Sequence, residues 1–284
     1  MQTAISVAID ATLITMVLAL AAFGLAIIYG LVGVINLGHG AMLTLGAYFT
    51  WYTVGLGVPF FLAVILAGLG VGLVGLLFEH LIIRHFYDRP FDTLLLTWGF
   101  FLISTELVKI GFGTSFRNVP SPFPFAIDTG VYELPAYKTF VAVLTALLLL
   151  ATAFVFLKTS VGIKIRALIQ NREMASLLGL NIAATYKLVF SFGCFMAGLA
   201  GGLLAPMLSI DPYIGNVFLI RSFFVVIVGG VGQLLGGTLL GSFFIGGTET
   251  IFALFSSQVV AQAAVFFLAI LILRFRPQGL LGEK

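Results

Sequence analysis

The chain has 284 residues, of which 61% are hydrophobic and 9% charged, with a net charge of +3. Soluble domains carry about 25% charged residues, and a water-facing surface on a chain this long needs far more polar side chains. This composition excludes a soluble globular protein, and because the basic residues follow loops, the positive balance is no nucleic-acid footprint. The single cysteine, Cys194, sits in an apolar tract and leaves neither a disulfide framework nor a zinc site. No Lys or Arg precedes the first apolar run and no small-residue cleavage pattern follows it, so no removable signal peptide is expected.

Uncharged tracts recur at Ala11–Gly38, Pro59–Phe78, Thr139–Leu157, Leu188–Ile210, Ser222–Thr248 and Thr250–Leu273. Each approaches or exceeds the roughly 20 apolar residues that carry a helix across a bilayer. The expected fold is all-α, a polytopic membrane helix bundle with about eight or nine transmembrane helices. A β-barrel would show short alternating segments instead.

Within the run from Ala11 to Phe78, which holds no Asp, Glu, Lys or Arg, Gly30–Tyr48 reads GLVGVINLGHGAMLTLGAY, with Asn36 and His39 among glycines. An unpaired polar group in hydrocarbon is costly, so such a segment survives only against protein or a water-filled path. Discontinuous helices of this kind are where transporters tend to bind solute. Two readings stand. The segment is a tight turn with His39 capping a backbone carbonyl, or a broken or re-entrant stretch in which Asn36, Gly38, His39 and Gly40 line a path.

Gly68, Gly70, Gly72 and Gly75 then mark a packing face, as do the GxxxG spacings Gly198/Gly202 and Gly237/Gly241. Glu79 and His80 precede Arg84 as an interface cluster. In the span Phe91–Phe112, Thr97 and Trp98 are path candidates, although a Trp here more often packs. Glu106 and Lys109 are spaced to pair on one helical face, while an intramembrane carboxylate also suggests a cavity, which keeps Glu106 a path candidate. The Gly113–Lys138 loop, with Pro120, Pro122, Pro124 and Pro135, is expected to be extended and stiff. Arg221 is expected to snorkel, or else to contact a partner, and Glu249, isolated between apolar tracts, needs a partner inside the bundle unless it lies near a helix end.

Ten of the fourteen Lys and Arg residues fall near Arg84 and Arg89, in the Lys158–Lys187 loop, and in the tail with Arg274, Arg276 and Lys284. Positive charge favours the cytoplasmic side of short loops. Parity then places the N-terminus outside, the C-terminus inside and residues 113–138 outside. From Asp211 to Arg274 either three short spans fit, or one span with re-entrant hairpins. A weak internal echo links Ile27–Tyr48 to Val226–Gly247, each aliphatic, then glycine-rich, then aliphatic.

The Lys158–Tyr186 loop places Ile163, Ala167, Ile169, Met174, Leu177 and Leu178 at helical spacings between Lys164, Arg166 and Arg172. Gly179 marks an end. An amphipathic basic segment suits anionic lipid or a groove in a cytoplasmic protein, and Asn171 with Glu173 tilts the reading toward protein.

The combination of GLVGVINLGHGAMLTLGAY, RALIQNREMASLLGL, FVVIVGGVGQLLGGTLLG and RPQGLLG resembles the permease subunits of bacterial ABC importers for branched-chain amino acids and for urea or short-chain amides. The likeness covers nearly the whole chain, in order. It implies a single transmembrane permease domain over residues 1–284 in the bacterial cytoplasmic (inner) membrane. It further implies a second permease subunit, two cytoplasmic ATPase subunits and an extracytoplasmic solute-binding protein as partners. Arg166–Gly179 would then be the coupling helix that docks into the ATPase, with Arg166, Asn171, Arg172, Glu173, Ala175 and Gly179 as its coupling residues. Glu173, Ala175 and Gly179 match the family's loose acidic-Ala-Gly signature in part, since Met174 holds the second alanine position. Arg89–Gly99 looks closer to the urea and amide branch, as does IQNREMA. The chain carries no phosphate-binding G-x-x-x-x-G-K-[ST] loop, no paired carboxylates and no nucleophile elbow. No cofactor, catalytic residue or metal is therefore expected on it, with ATP and Mg held by the partner ATPases. A carrier or channel working alone is the rival reading.

Overall fold

The computed structural model describes residues 2–128 and 133–282. Lys284 and the centre of the Gly113–Lys138 loop lie outside the described residues. Helix α1, Gln2–Val32, has 31 residues, about 46 Å at 1.5 Å per residue. Beyond Asp10 it is apolar on every side, as a helix surrounded by others must be, and Leu18, Phe23, Leu25 and Ile28 in its centre are buried. Helix α8, Ile182–Leu204, is the second interior element, buried almost continuously from Gly193 to Leu204. Around this pair stand α2 (His39–Gly55), α3 (Phe60–Leu81), α4 (Pro90–Phe112), α5 (Ala136–Lys158) and α9 (Ile214–Gly229). Outward faces of α3 and α5, such as Leu62, Leu69, Leu147 and Leu150, are aliphatic and exposed, which suits lipid.

Small residues set the helix separations. A Cβ added at Gly24 of α1 would strike the Gly193 carbonyl of α8, and one at Gly40 of α2 would strike the Gly215 carbonyl of α9. On α3, a Cβ at Gly75 would lie 2.5 Å from Cys194 Sγ. Lipid tails give apolar helices no reason to associate, so this close backbone approach is the source of their packing energy.

Beyond α9 the chain turns at Gly230–Gln233 into an arm bent by 118° and spanning Leu234–Ala253. The arm consists of α10 (Leu234–Ser242), a π-helical turn (Phe243–Gly247) and α11 (Thr248–Ala253). Helix α12, Gln258–Phe275, closes the bundle. Among the described residues, 6 helices are long and apolar enough to cross a membrane, or 7 if the bent pair is one span. The 17-residue α2 falls just short of that length, and it and the two arms of the bent pair make up the difference from the eight or nine expected. Among the described residues the bundle is all-α apart from an isolated bridge of Arg117 with Ile210 and one antiparallel strand pair, β1 (Ala126–Asp128) with β2 (Glu133–Pro135). The sequence suggests only an extended loop there.

The basic regions gather at one end. Arg172 Nη1 lies 2.8 Å from Asp88 Oδ1, joining the loop after α4's neighbour α3 to the Lys158–Lys187 segment. The tail reaches the same end, where the Leu280 and Leu281 amides donate to the Val228 and Gly229 carbonyls at 2.8 and 3.2 Å. At the other end, Arg117 and Ile210 exchange backbone hydrogen bonds of 2.9 and 2.8 Å, and the Tyr137 hydroxyl donates to the Leu203 carbonyl at 2.6 Å. The two segments of the internal echo adopt one pattern: helix, glycine break, helix. Gly33 and Gly232 both take left-handed φ values, 76° and 87°. A Cβ on Gly30 would stand 3.7 Å from the Gly232 Cα, so the breaks adjoin.

Candidate functional site

Residues 33–38 leave the helical path between α1 and α2. Their backbone groups must then find partners elsewhere, and α4 supplies them. The Leu37 amide donates to Thr97 Oγ1 at 3.1 Å. The Thr97 hydroxyl in turn faces two acceptors, the Leu94 carbonyl at 3.0 Å and the Ile35 carbonyl at 3.3 Å. Asn36 is 1% exposed, and neither its Oδ1 nor its Nδ2 has a hydrogen-bond partner. Burying an amide so costs on the order of 1–3 kcal/mol, which sets Asn36 apart from a packing residue. A Cβ on Gly38 would come within 3.0 Å of Asn36 Oδ1 and of the Phe100 ring, and 3.1 Å of the Thr97 carbonyl.

The structure thus brings Asn36, Gly38 and Thr97 together between the break and α4. The other candidates go elsewhere. His39 is fully buried against α1, its Nε2 2.7 Å from the Ala21 carbonyl. A carbonyl only accepts, so Nε2 carries the proton. Gly40 packs on α9. Trp98, one residue from Thr97, turns to the open side of α4 and stacks on Phe101 at 5.2 Å. Glu106 lies on that open side, its side chain 61% exposed and 2.7 Å from Lys109 Nζ. Phe91, Leu95 and Leu102 complete an exposed stripe with Trp98 and Glu106.

Arg221 does not snorkel. It lies midway along α9, and its Nη2 is 2.9 Å from Glu249 Oε1 on α11, both side chains largely buried. Gln262 of α12, with its amide oxygen turned toward the guanidinium, lies 3.2 Å from Arg221 Nε. A cation too deep to reach water is stabilised by a paired carboxylate instead.

The Arg166–Gly179 stretch is not one helix. Thr159 caps α6, Ser160–Gln170, and Asn171 takes an extended backbone that ends it. Asn171 Oδ1 then accepts from the Met174 amide at 3.0 Å and starts α7, Arg172–Leu177. Asn is favoured at such a cap because its side chain satisfies an otherwise orphaned amide. Gly179, at φ 80°, closes α7: the Leu180 amide donates to Ala175 and the Gly179 amide to Ser176, at 3.1 and 3.0 Å. Buried on α6 are Ile165 and Leu168, while Ile163 and Ile169 are exposed, so the apolar face differs from the one the spacing suggests. Arg166 folds back onto the Phe156 carbonyl and ring. Ala175 is buried, whereas Met174, Leu177 and Leu178 are 55%, 81% and 77% exposed beside exposed Glu173.

A network under α7 went unread in the sequence. The Tyr87 hydroxyl donates to Glu79 Oε1 at 2.7 Å, its ring meets Tyr186 edge-on at 4.9 Å, and Arg172 lies over Tyr186 while holding Asp88. Burial first, then the Glu79 hydrogen bond, pushes the Tyr87 phenol far above its ordinary range, so it stays a donor. Only the clustering of Glu79, Tyr87 and Asp88 around one short loop hinted at it. Among the described residues, no three His, Cys, Asp or Glu side chains are placed to hold a metal.

Comparison with known proteins bears on what this geometry serves. The family described as branched-chain amino acid transport system / permease component matches residues 7–274. The chain belongs to this family. Relatives of this permease-family chain include the high-affinity branched-chain amino acid transport system permease protein LivH of Salmonella typhimurium, 27% identical, with 93% of this chain and 91% of the relative covered. The corresponding BraD protein of Pseudomonas aeruginosa is 26% identical over the same shares, 93% and 91%. A probable LivH of Methanocaldococcus jannaschii is 32% identical over 50% of this chain and 48% of its own. No solved structure matches. These relatives are named for branched-chain amino acids, whereas Arg89–Gly99 and IQNREMA look closer to the urea and amide branch.

Proposed function

We propose that this permease is the membrane subunit of an ATP-driven importer of branched-chain amino acids, with its basic end in the cytoplasm. It works beside a second permease, with two ATPase subunits docked on α7 and an extracytoplasmic protein delivering solute. The exposed apolar tip Met174, Leu177 and Leu178 carries this reading. It stands on a helix closed at both ends and tied to the bundle through Arg172 and Asp88. Such a greasy projection fits a groove in a soluble partner, and the chain has no phosphate loop of its own.

The solute path runs along the α4 face. Glu106 and Lys109 on that face would stand in lipid if nothing covered it, an expensive placement for charge. A facing permease would cover it and enclose the space between. Asn36 behind Thr97 supplies polar groups that no side chain or backbone of this chain occupies. The test is uptake into proteoliposomes containing the purified assembly. Labelled leucine, isoleucine and valine should accumulate only with internal ATP, and urea and acetamide should not. Accumulation of leucine by the chain alone, without ATPase subunits, would overturn the reading.

A further inference from the structure

At the basic end a groove of about 370 Å³ opens between α5, α6 and α8. Its walls include Leu148, Val155 and Phe156 of α5, Ile165 of α6, and Leu188 and Phe192 of α8, with Thr152 the one hydroxyl on the α5 side. Val155, Leu188 and Phe192 are also exposed on the outer surface of the bundle, so the mouth of the groove opens outward, while buried Ile27 of α1 closes its floor. Water gains nothing by filling a slot with such walls, whereas a hydrocarbon chain does.

Charge identifies the occupant more closely. Lys158 ends α5 two residues after Phe156, Lys164 precedes Ile165 on α6, and Lys187 precedes Leu188 on α8. Each of the three helices therefore carries a cation close in sequence to a wall residue, outside the slot itself, and none of the three is in an ion pair. Arg166, held on the carbonyl and ring of the wall residue Phe156, adds a fourth cation beside the slot. A larger groove of about 710 Å³ between α1 and α11 is flanked in sequence by Asp10 and Glu249 and lacks this feature. Basic pockets between membrane helices recognise anionic lipid headgroups, and each lysine contributes independently to the attraction.

The geometry points to a bound anionic phospholipid, one acyl chain in the slot between α5, α6 and α8 and the headgroup phosphate among Lys158, Lys164 and Lys187. The lipid packs against the buried side of α6, the helix from which α7 projects, and so braces the element that meets the partner protein. This inference needs only that the chain spans a bilayer. It does not depend on which solute is carried.

Native mass spectrometry of the assembly purified in detergent tests it, with phosphatidylglycerol, phosphatidylethanolamine and inorganic phosphate as separate probes. Phosphatidylglycerol should bind at one tight site, phosphatidylethanolamine far more weakly, and free phosphate not at all. The K158Q/K164Q/K187Q variant should lose roughly a hundredfold in phosphatidylglycerol affinity, since each lysine near anionic lipid is worth about a factor of five. Ala151→Phe, which fills the slot from its exposed rim, should weaken both lipids while leaving the thermal midpoint unchanged. Equal binding of the two lipids, or phosphatidylglycerol binding that survives both variants, would overturn the assignment. Loss of the second permease from Ala151→Phe, with lipid binding intact, would instead make the groove a protein interface and overturn it too.

Discussion

At the scale of single residues, the polar groups inside the bundle divide into satisfied and unsatisfied. Arg221 and Glu249 satisfy each other. Removing one leaves the other charged and buried, at a cost of about 3–5 kcal/mol. Arg221→Met should therefore lower the thermal midpoint in detergent sharply, and Arg221→Met with Glu249→Leu should recover most of the loss. A single variant as stable as the parent would show that the pair is dispensable. Asn36 is the opposite case, a buried amide with no partner. Because the Gly38 position faces it and Thr97, Gly38→Leu should abolish leucine uptake while the ATPase subunits still co-purify. Overpacking of about 1–3 kcal/mol is survivable in so large a bundle. Wild-type uptake in that variant would mean that the segment is only a packing turn. His39→Gln should be mild by comparison: the glutamine side chain retains an N–H for the Ala21 carbonyl, and a zwitterionic solute needs no proton from the ring.

At the scale of elements, α7 depends on its two ends. Asn171→Ala should cost about 1 kcal/mol through the lost cap and reduce solute-stimulated ATP hydrolysis. Leu177→Glu, placing charge on the exposed tip, should abolish ATPase co-purification without changing the fold. Retained assembly with full uptake in Leu177→Glu would place the docking surface elsewhere. The helical bundle was legible from the sequence because hydropathy over twenty residues needs no partner information. The glycine break was legible too, since Asn36 and His39 stand out in an uncharged tract. The division of the coupling segment was not. Periodicity runs through Asn171, and only its backbone conformation shows that it stops one helix and starts another. Partners were least legible of all: Arg172 meets Asp88 from 84 positions away, a pairing that exists only once α3, α4 and α8 have packed.

At the scale of the molecule, the broken segments after α1 and after α9 meet where Gly30 faces Gly232. A side chain added at Gly30 is therefore expected to press on the other break. Gly30→Ala should be tolerated, its Cβ at an ordinary 3.7 Å from the neighbouring turn. Gly30→Leu should wedge the two apart and lower uptake at least tenfold with assembly preserved, a change of about 1.4 kcal/mol in the barrier. Equal uptake in both variants would separate the two breaks functionally.

The tail that caps α9 also sets a schedule for biogenesis. The carbonyls of Val228 and Gly229 emerge from the ribosome well before Leu280 and Leu281, whose amides close them. Helices α10 to α12 are made in between. The Val228 and Gly229 carbonyls thus have no tail partner until α12 has been synthesised. In the full chain the Leu280 and Leu281 amides should exchange slowly, and fast exchange there would show that the tail does not seal the turn. Quality control by a membrane protease would then have a defined signal to read: an open turn marks a chain whose last span has yet to be made.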